Sequence, residues 1–184
     1  MIYLRDKAHW GLKYSKLTEP CTLEVYVDSS LGNGKGRRSI FGFVIMINSC
    51  IVHYKSKLEP IVSLSSTESE FIALALSLKE VEWIMNLCDE TKVITKKSIV
   101  WCDNQGALKI VQNKHSVGRT KHVDLKLQKM KEAVLKGEIT PRYVRSEDNV
   151  ADIFTKPLGR IAFEKLRNVL LVEVPDGAVA ANRK

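Results

Sequence analysis

Two short stretches of alternating apolar and polar residues, each ending on an aspartate, constrain this chain most strongly. The first is LEVYVDS at residues 23–29, with Asp28 near its end, and the second is SIVWCDN at residues 98–104, with Asp103 near its end. Alternation with a period of two is typical of a β-strand that buries one face. We therefore predict two strands that each carry a carboxylate close to the strand end.

The residues after the first strand predict an antiparallel hairpin. A basic, glycine-rich turn at residues 32–38 leads to the apolar run IFGFVIMI at residues 40–47. Asn48 and Ser49 separate this run from CIVHYKS at residues 50–56. Two strand-like runs joined by two turn-forming residues indicate a hairpin, so the sheet should begin with antiparallel strands.

A long amphipathic helix is predicted next. Ser65 and Glu68 have the spacing of a capping box at a helix N-terminus. Apolar side chains then recur at spacings of three and four, which predicts a helix of about five turns. They are Phe71, Leu74, Leu78, Val81 and Met85. The strand at residues 99–103 follows this helical crossover and should lie parallel to its neighbour in the sheet.

The rest of the chain predicts one more strand among several helices. The predicted elements are a short helix at residues 105–112, a helix between Thr120 and Gly137, a strand at residues 138–144, a short helix at residues 149–155 and a last helix through Phe163, Leu166 and Leu170. The principal order, β-β-β-α-β-α-α-β-α, predicts an α/β fold with a mixed sheet.

The length of 184 residues fits one domain of ordinary size with short extensions. We predict a leader at residues 1–20, a globular domain at residues 21–172 and a disordered tail at residues 173–184. The longest apolar run, residues 41–47, is too short to span a membrane, so we expect no membrane partner. The four cysteines are irregularly spaced and do not cluster with histidines, which argues against a structural zinc site.

The charge of the chain favours a polyanionic partner. Lysine and arginine outnumber aspartate and glutamate 29 to 21, which gives a formal net charge of +8. Such an excess suits nucleic acid or an acidic membrane surface, although many soluble proteins are equally basic for other reasons.

Acidic residues at two strand ends and one helix start are typical of a metal-dependent nuclease. Mg²⁺ is a hard ion that prefers carboxylate oxygens. Two such ions about 4 Å apart promote phosphodiester hydrolysis, since one generates hydroxide and the other stabilises the leaving oxygen. The alternative is that Asp28 and Asp103 only end their strands, where aspartate often begins a turn.

Five motifs, taken together and in order, give the chain a family resemblance. They are YVD at residues 26–28, SLSSTESEFIAL at residues 63–74, WCDNQ at residues 101–105, RTKHVD at residues 119–124 and EDNVADIFTKP at residues 147–157. With these motifs, residues 23–170 resemble the ribonuclease H domain of copia-type retrotransposon polyproteins. The leader resembles the end of the reverse transcriptase that precedes such a domain.

The resemblance implies a ribonuclease H-like α/β fold with a mixed five-stranded sheet flanked by helices. It implies that Asp28, Glu70, Asp103 and Asp152 are the catalytic and metal-binding residues. It also implies cleavage of the RNA strand of RNA–DNA hybrids with two Mg²⁺ ions, for which Mn²⁺ can substitute. The implied partner is the reverse transcriptase domain of the same polyprotein. The implied location is intracellular, in a cytoplasmic retroelement particle or in the nucleus.

Two other functions stay open at this point. One is an integrase-like strand transferase on the same fold, although such enzymes normally carry the last acidic residue on a later helix, and Glu70 comes too early for that order. The other is a catalytically decayed module of retroelement origin that only binds nucleic acid. The presence of all four acidic positions argues against decay at the site.

Six further residues are predicted to contact nucleic acid. Ser29, Asn104 and Gln105 lie next to the first and third carboxylates in the sequence. Arg119, Lys121 and His122 lie at a predicted helix start, where free backbone amides favour phosphate, although a solvated basic helix end explains them equally well. No histidine occurs in the loop at residues 143–149, where many cellular ribonucleases H carry one, so Glu147, His122 or solvent would have to transfer the proton.

Helical geometry selects Glu70 rather than Glu68 for the metal site. At about 100° per residue, Glu70 projects roughly 60° from the centre of the apolar stripe, on the flank that faces the sheet. Glu68 lies roughly 100° away on the other flank and fits the capping role with Ser65.

Overall fold

The computed structural model of the protein describes residues 7, 9–16, 20–93, 98–113 and 121–174, without the side chains of residues 121–124, 126 and 127. Four predictions lie wholly or partly outside these residues: the leader at residues 1–20, the Thr120 helix cap, the contact residue Arg119 and most of the tail at residues 173–184. The predicted domain bounds stay a prediction.

Five of the seven strands in the described residues form one mixed sheet, as predicted. The strands are β1 (Trp10–Gly11), β2 (Leu23–Ser30), β3 (Ile40–Ile47), β4 (Cys50–Leu58), β5 (Ser98–Cys102), β6 (Ile139–Tyr143) and β7 (Val172–Glu173). The sheet has the order β4-β3-β2-β5-β6. The β2–β3 and β3–β4 pairs are antiparallel, whereas β5 lies parallel to both β2 and β6. The predicted hairpin and the parallel strand after the crossover are therefore confirmed.

Within the part of the chain that the structure describes, four α-helices flank this sheet: α1 (Ser66–Glu90), α2 (Gln105–Gln112), α3 (Lys121–Leu135) and α4 (Arg160–Leu170). One of the predicted helices needs correction. Helix α1 has 25 residues and exceeds five turns, because Cys88 continues the buried stripe beyond Met85. The short helix predicted at residues 149–155 is confirmed as a 3-10 helix, Val150–Phe154, capped by Asn149.

The start of α1 has a variant of the predicted capping box. The Ser65 hydroxyl accepts a hydrogen bond from the Glu68 backbone N–H at 3.2 Å. The Glu68 carboxylate accepts from the Leu64 backbone N–H at 2.8 Å, one residue earlier than in the usual motif. The Glu68 carboxylate is therefore engaged at the helix end.

Each face of the sheet has its own hydrophobic cluster. On one face, Val25, Val27 and Phe43 pack with the buried stripe of α1. On the other face, Val44 and Leu166 belong to a smaller cluster beneath α4 and the 3-10 helix. Because neighbouring residues of a strand point to opposite faces, β2 supplies apolar side chains to the first cluster and directs Asp28 to the opposite face.

Residues near the two ends of the described chain pair with each other. Trp10 and Gly11 of β1 pair antiparallel with Glu173 and Val172 of β7. The Arg167 guanidinium of α4 lies 3.9 Å from the centre of the Trp10 ring, a distance that allows a cation–π contact. This pairing has no periodic signal in the sequence, because each strand has only two residues. No helix in the described part of the chain is both long and apolar enough to cross a membrane.

Gly42 allows the 3-10 helix to approach the sheet beside Asp28. Gly42 pairs with Asp28 across β2 and β3. A methyl group on Gly42 would lie 2.6 Å from the Phe154 Cβ and 2.9 Å from the Thr155 Cγ2, both closer than atoms can pack. The position therefore requires glycine for reasons of space.

We expect Gly42→Ala to destabilise the protein by about 1–3 kcal/mol, because the segment that carries Asp152 must move outward. Urea denaturation followed by circular dichroism measures this loss. Gly159→Ala is the matched control, since nothing lies within 4 Å of a methyl group there. Equal stability of the two variants would contradict the close-packing explanation.

Candidate metal-binding active site

Two adjacent parallel strands bring Asp28 and Asp103 to the same edge of the sheet. Tyr26 of β2 pairs with Trp101 of β5, and each aspartate lies two residues further along its strand direction. Parallel neighbours in register end at the same place, so the two carboxylates become neighbours although 75 residues separate them in the sequence.

Helix α1 and the 3-10 helix supply the other two predicted carboxylates. Glu70 is 5% exposed, Asp28 is 1% exposed and Asp152 is 7% exposed. Oxygens of Asp28, Asp103 and Asp152 lie within 4.8 Å of one another, and so do the ligand atoms of Glu70, Cys102 and Asp103. The structure therefore brings all four predicted carboxylates together, with Asp103 common to both groups.

Hydrogen bonds from the chain orient these carboxylates. The Ser29 backbone N–H donates to Glu70 Oε1 at 3.2 Å, and the Ser146 hydroxyl donates to Asp103 Oδ2 at 2.6 Å. The Thr155 hydroxyl donates to Asp28 Oδ2. Glu70, Asp103 and Asp28 are thus each oriented by a hydrogen bond to one carboxylate oxygen.

Lys156 supplies positive charge to one half of the site. Its Nζ lies 2.9 Å from Asp152 Oδ1 and 3.4 Å from Asp28 Oδ1. Asn149 fixes the segment that carries these residues, because its side-chain amide donates to the Val27 carbonyl of β2 at 2.9 Å. The 3-10 helix is therefore anchored to the strand that ends in Asp28.

Crowding of carboxylates changes their protonation. Burial, followed by the charges of Asp28 and Asp103, raises the pKa of Glu70 to about 9. Burial, followed by the charge of Asp28, raises the pKa of Asp152 to about 7. Burial by itself lowers the pKa of Lys156, but Asp28 and Asp152 reverse this effect and raise it. The site therefore favours added positive charge, as a proton or as a cation.

The donor set fits a hard divalent cation. It consists mainly of carboxylate oxygens, and Asp152 Oδ1 is buried without a hydrogen-bond partner of good geometry among the described residues, although Lys156 lies at ion-pair distance. Cys102 is the exception. Burial, followed by the charge of Glu70, raises the pKa of its thiol, and the sulfur lies 3.9 Å from Glu70 Oε2, at donor distance. Cys102 therefore acts as a neutral neighbour of the carboxylates.

The three predicted nucleic-acid contacts next to the carboxylates differ in exposure: Ser29 is buried, Asn104 is half-buried and Gln105 is exposed. Ser29 is buried and its hydroxyl bonds to Glu59 and Ser69, so the orientation of its side chain gives no support to a contact with nucleic acid. Asn104 caps α2 by accepting from the Ala107 N–H at 2.9 Å, and Gln105 is exposed in the first turn.

The remaining contact residues and the predicted proton carriers are placed only in part. Lys121 and His122 begin α3, but their side chains and the whole of Arg119 lie outside the described residues. Glu147, a predicted substitute for the loop histidine, is exposed and forms an ion pair with Arg145 at 2.9 Å.

Sequence reasoning missed four polar residues around the site: Ser146, Asn149, Thr155 and Lys156. A signal existed for two of them, because Thr155 and Lys156 follow Asp152 at spacings of three and four and so return to the same side of a helical turn. Ser146 and Asn149 carry no such signal, since their partners are distant in the sequence.

Comparison with known proteins finds relatives over most of the chain, although no family model matches it. It is 30% identical over 149 residues, 80% of its length, to a retrovirus-related Pol polyprotein from transposon TNT 1-94 of Nicotiana tabacum. It is 29% identical over 176 residues, 94% of its length, to that from transposon RE2 of Arabidopsis thaliana. The chain spans only 11% and 12% of these two relatives.

Two solved structures of a ribonuclease H have the same fold as this chain. LC11-RNase H1, isolated from compost by a metagenomic approach, has a TM-score of 0.56 at 17% identity, covering 78% of this chain and 96% of that one. The same enzyme in complex with an RNA/DNA hybrid has a TM-score of 0.53 at 17% identity, covering 73% and 94%. The chain thus has the ribonuclease H fold and is homologous, over most of its length, to a segment of copia-type retrotransposon Pol polyproteins.

Proposed function

We propose that this chain is a ribonuclease H, a metal-dependent endonuclease that hydrolyses the RNA strand of RNA–DNA hybrids during retrotransposon reverse transcription. The observation that carries the proposal is the set of four carboxylates that four separate elements bring to one edge of the sheet. The fold adds support, because a protein of the same fold is described in complex with an RNA/DNA hybrid.

Asp28, Glu70, Asp103 and Asp152 would hold two Mg²⁺ ions, or Mn²⁺ in their place. When bound, such ions lower the pKa of water and stabilise charge on phosphate oxygens. The chain's own contribution is to orient the ligands. Ser146 and Thr155 hold Asp103 and Asp28 by hydrogen bonds, and Lys156 offsets the negative charge beside Asp152.

The hybrid is the proposed substrate, and the reverse transcriptase domain of the same polyprotein is the proposed partner. A net charge of +8 suits a polyanion. Arg119, Lys121 and His122 remain proposed phosphate contacts. The proposed location is intracellular, in a cytoplasmic retroelement particle or in the nucleus.

We expect the purified protein to cut the RNA strand of a labelled RNA–DNA hybrid with Mg²⁺ and not with EDTA, and Asp103→Asn to abolish cutting. Asp103 contributes to both ligand groups, so its loss should remove several kcal/mol of transition-state stabilisation. Gel analysis of the cleavage products measures this loss. Parallel reactions with double-stranded DNA and with single-stranded RNA test whether the hybrid is the preferred substrate.

Asp89→Asn, an equivalent change at an exposed position near the end of α1, should cut as the wild type does. Circular dichroism should show that both variants are folded. Equal cleavage rates for the wild type and Asp103→Asn would overturn the assignment of the site.

We expect Glu70→Gln to lose activity and keep its stability, whereas Glu68→Gln should keep activity. Glu70 is buried among the carboxylates, but Glu68 caps the helix through Leu64. Loss of the Glu68 charge should therefore cost up to about 1 kcal/mol of stability. Hybrid cleavage and thermal unfolding of both variants distinguish the two residues, and the reverse pattern of activities would contradict the choice of Glu70.

We also expect the stability of the wild type in EDTA to fall as the pH rises from about 4.5 to about 9, the ordinary and the raised pKa of Glu70. In this range the folded protein binds more protons than the unfolded chain, so rising pH favours unfolding. Melting temperatures across this range should decline more steeply for the wild type than for Glu70→Gln. Parallel pH profiles would show that Glu70 does not carry the extra proton.

A further inference from the structure

A fifth carboxylate lies buried beneath the site. Glu59 follows directly after β4 and is 0% exposed, and its backbone N–H donates to the Ser39 carbonyl at 2.8 Å. It forms no ion pair with any residue that the structure describes. A buried carboxylate without a cationic partner is costly unless hydrogen bonds satisfy it.

Three serine hydroxyls satisfy the Glu59 carboxylate. Ser29 and Ser69 both donate to its Oε1 at 2.9 Å, and Ser63 donates to its Oε2 at 2.5 Å. The Ser29 and Ser69 hydroxyls also contact each other. We call Glu59 and these three serines the Glu59 cluster.

The Glu59 cluster joins the two segments that carry buried metal-ligand candidates. Ser29 directly follows Asp28 at the end of β2, and Ser69 directly precedes Glu70 in the first turns of α1. One oxygen of Glu59 therefore bridges the end of the strand and the start of the helix. The Ser29 backbone N–H in turn donates to Glu70 Oε1 at 3.2 Å, so the bridge continues to the candidate ligand itself.

The chemistry of a carboxylate makes this bridge directional. Serine hydroxyls both donate and accept, so three serines alone could hydrogen-bond to one another in several ways. The Glu59 carboxylate offers acceptor lone pairs on both of its oxygens, and each of the three hydroxyls donates to one of them. This fixes the side-chain orientations of Ser29 and Ser69 and, through the backbone next to them, the separation of Asp28 and Glu70.

We propose that Glu59 is a positioning residue that sets the distance between the Asp28 and Glu70 carboxylates and thereby the affinity of the site for divalent cations. The inference rests on the proposed function, because it assumes that these carboxylates bind a cation. Glu59 itself lies behind the ligands and touches neither the cation nor the substrate. Its effect is transmitted by Ser29 and Ser69.

The test compares cation binding by the wild type, Glu59→Ala and Glu59→Gln. Isothermal titration with Mn²⁺ measures affinity without catalysis, and the Mg²⁺ concentration for half-maximal hybrid cleavage gives a second readout. Loss of a residue that orients metal ligands typically weakens metal binding at least tenfold, so we expect about that change in both measurements for Glu59→Ala. Glu59→Gln should recover most of the affinity, because its amide oxygen can accept from Ser29 and Ser69.

Val81→Ala controls for a general loss of stability. Val81 is buried in the same helix as Glu70 and lies three turns beyond it, about 16 Å along the helix axis. This variant should lower the melting temperature and leave the Mn²⁺ affinity unchanged. If Glu59→Ala fails to fold, Ser69→Ala removes one arm of the bridge and should weaken Mn²⁺ binding in the same direction.

The outcomes separate this inference from the proposed function. A wild type that binds no Mn²⁺ and cuts no hybrid would overturn the proposed function and this inference with it. A wild type that binds Mn²⁺, together with Glu59→Ala and Ser69→Ala variants of equal affinity, would overturn the positioning role alone. Mn²⁺ affinity that falls equally in Val81→Ala would also contradict the positioning role, because Glu59 would then act only through the stability of the fold.

Discussion

Mutual repulsion of four carboxylates is the constraint on which the rest of the structure depends. Asp28, Glu70, Asp103 and Asp152 converge in a largely buried space, where each negative charge disfavours the next. Folding brings them together only because the surrounding elements are anchored by other contacts. Helix α1 is held by its apolar stripe, and the 3-10 helix is held by Asn149 on β2 and by close approach to Gly42.

The sheet topology explains why this convergence is possible at all. Strands β2 and β5 are parallel neighbours, so their carboxyl ends meet, whereas an antiparallel pair would put Asp28 and Asp103 at opposite ends. The crossover helix α1 that makes β5 parallel also begins beside these strand ends and delivers Glu70. This one crossover therefore carries Glu70 on its helix and places Asp103 at the end of the strand that follows. The same connection determines the strand arrangement and the position of two of the four carboxylates.

The sequence predicted the elements that depend on local periodicity and failed where the contacts are distant. The alternation of apolar and polar residues predicted β2 and β5. Helical spacing predicted that the Glu70 side chain faces the protein interior, and Glu70 is buried in the structure. The β1–β7 pairing could not be predicted from the sequence, because a strand of two residues shows no period and the two partners are far apart in the chain. The same holds for the hydrogen bond from Ser146 to Asp103 and for the Glu59 cluster. The presence of a serine or a glutamate in a sequence does not indicate which distant group its side chain contacts.

The two halves of the site balance their negative charge in different ways. In the half formed by Asp28 and Asp152, an ammonium group from the chain itself, Lys156, lies at ion-pair distance from both carboxylates. In the other half, Glu70 and Asp103 have the thiol of Cys102 beside them, and burial favours a proton on Glu70. A divalent cation entering the first half would compete with a tethered ammonium group, and one entering the second would displace a proton. Cation binding in the half with Lys156 would require the Lys156 side chain to move. Cation binding in the half with Glu70 would require only that a proton leave to solvent.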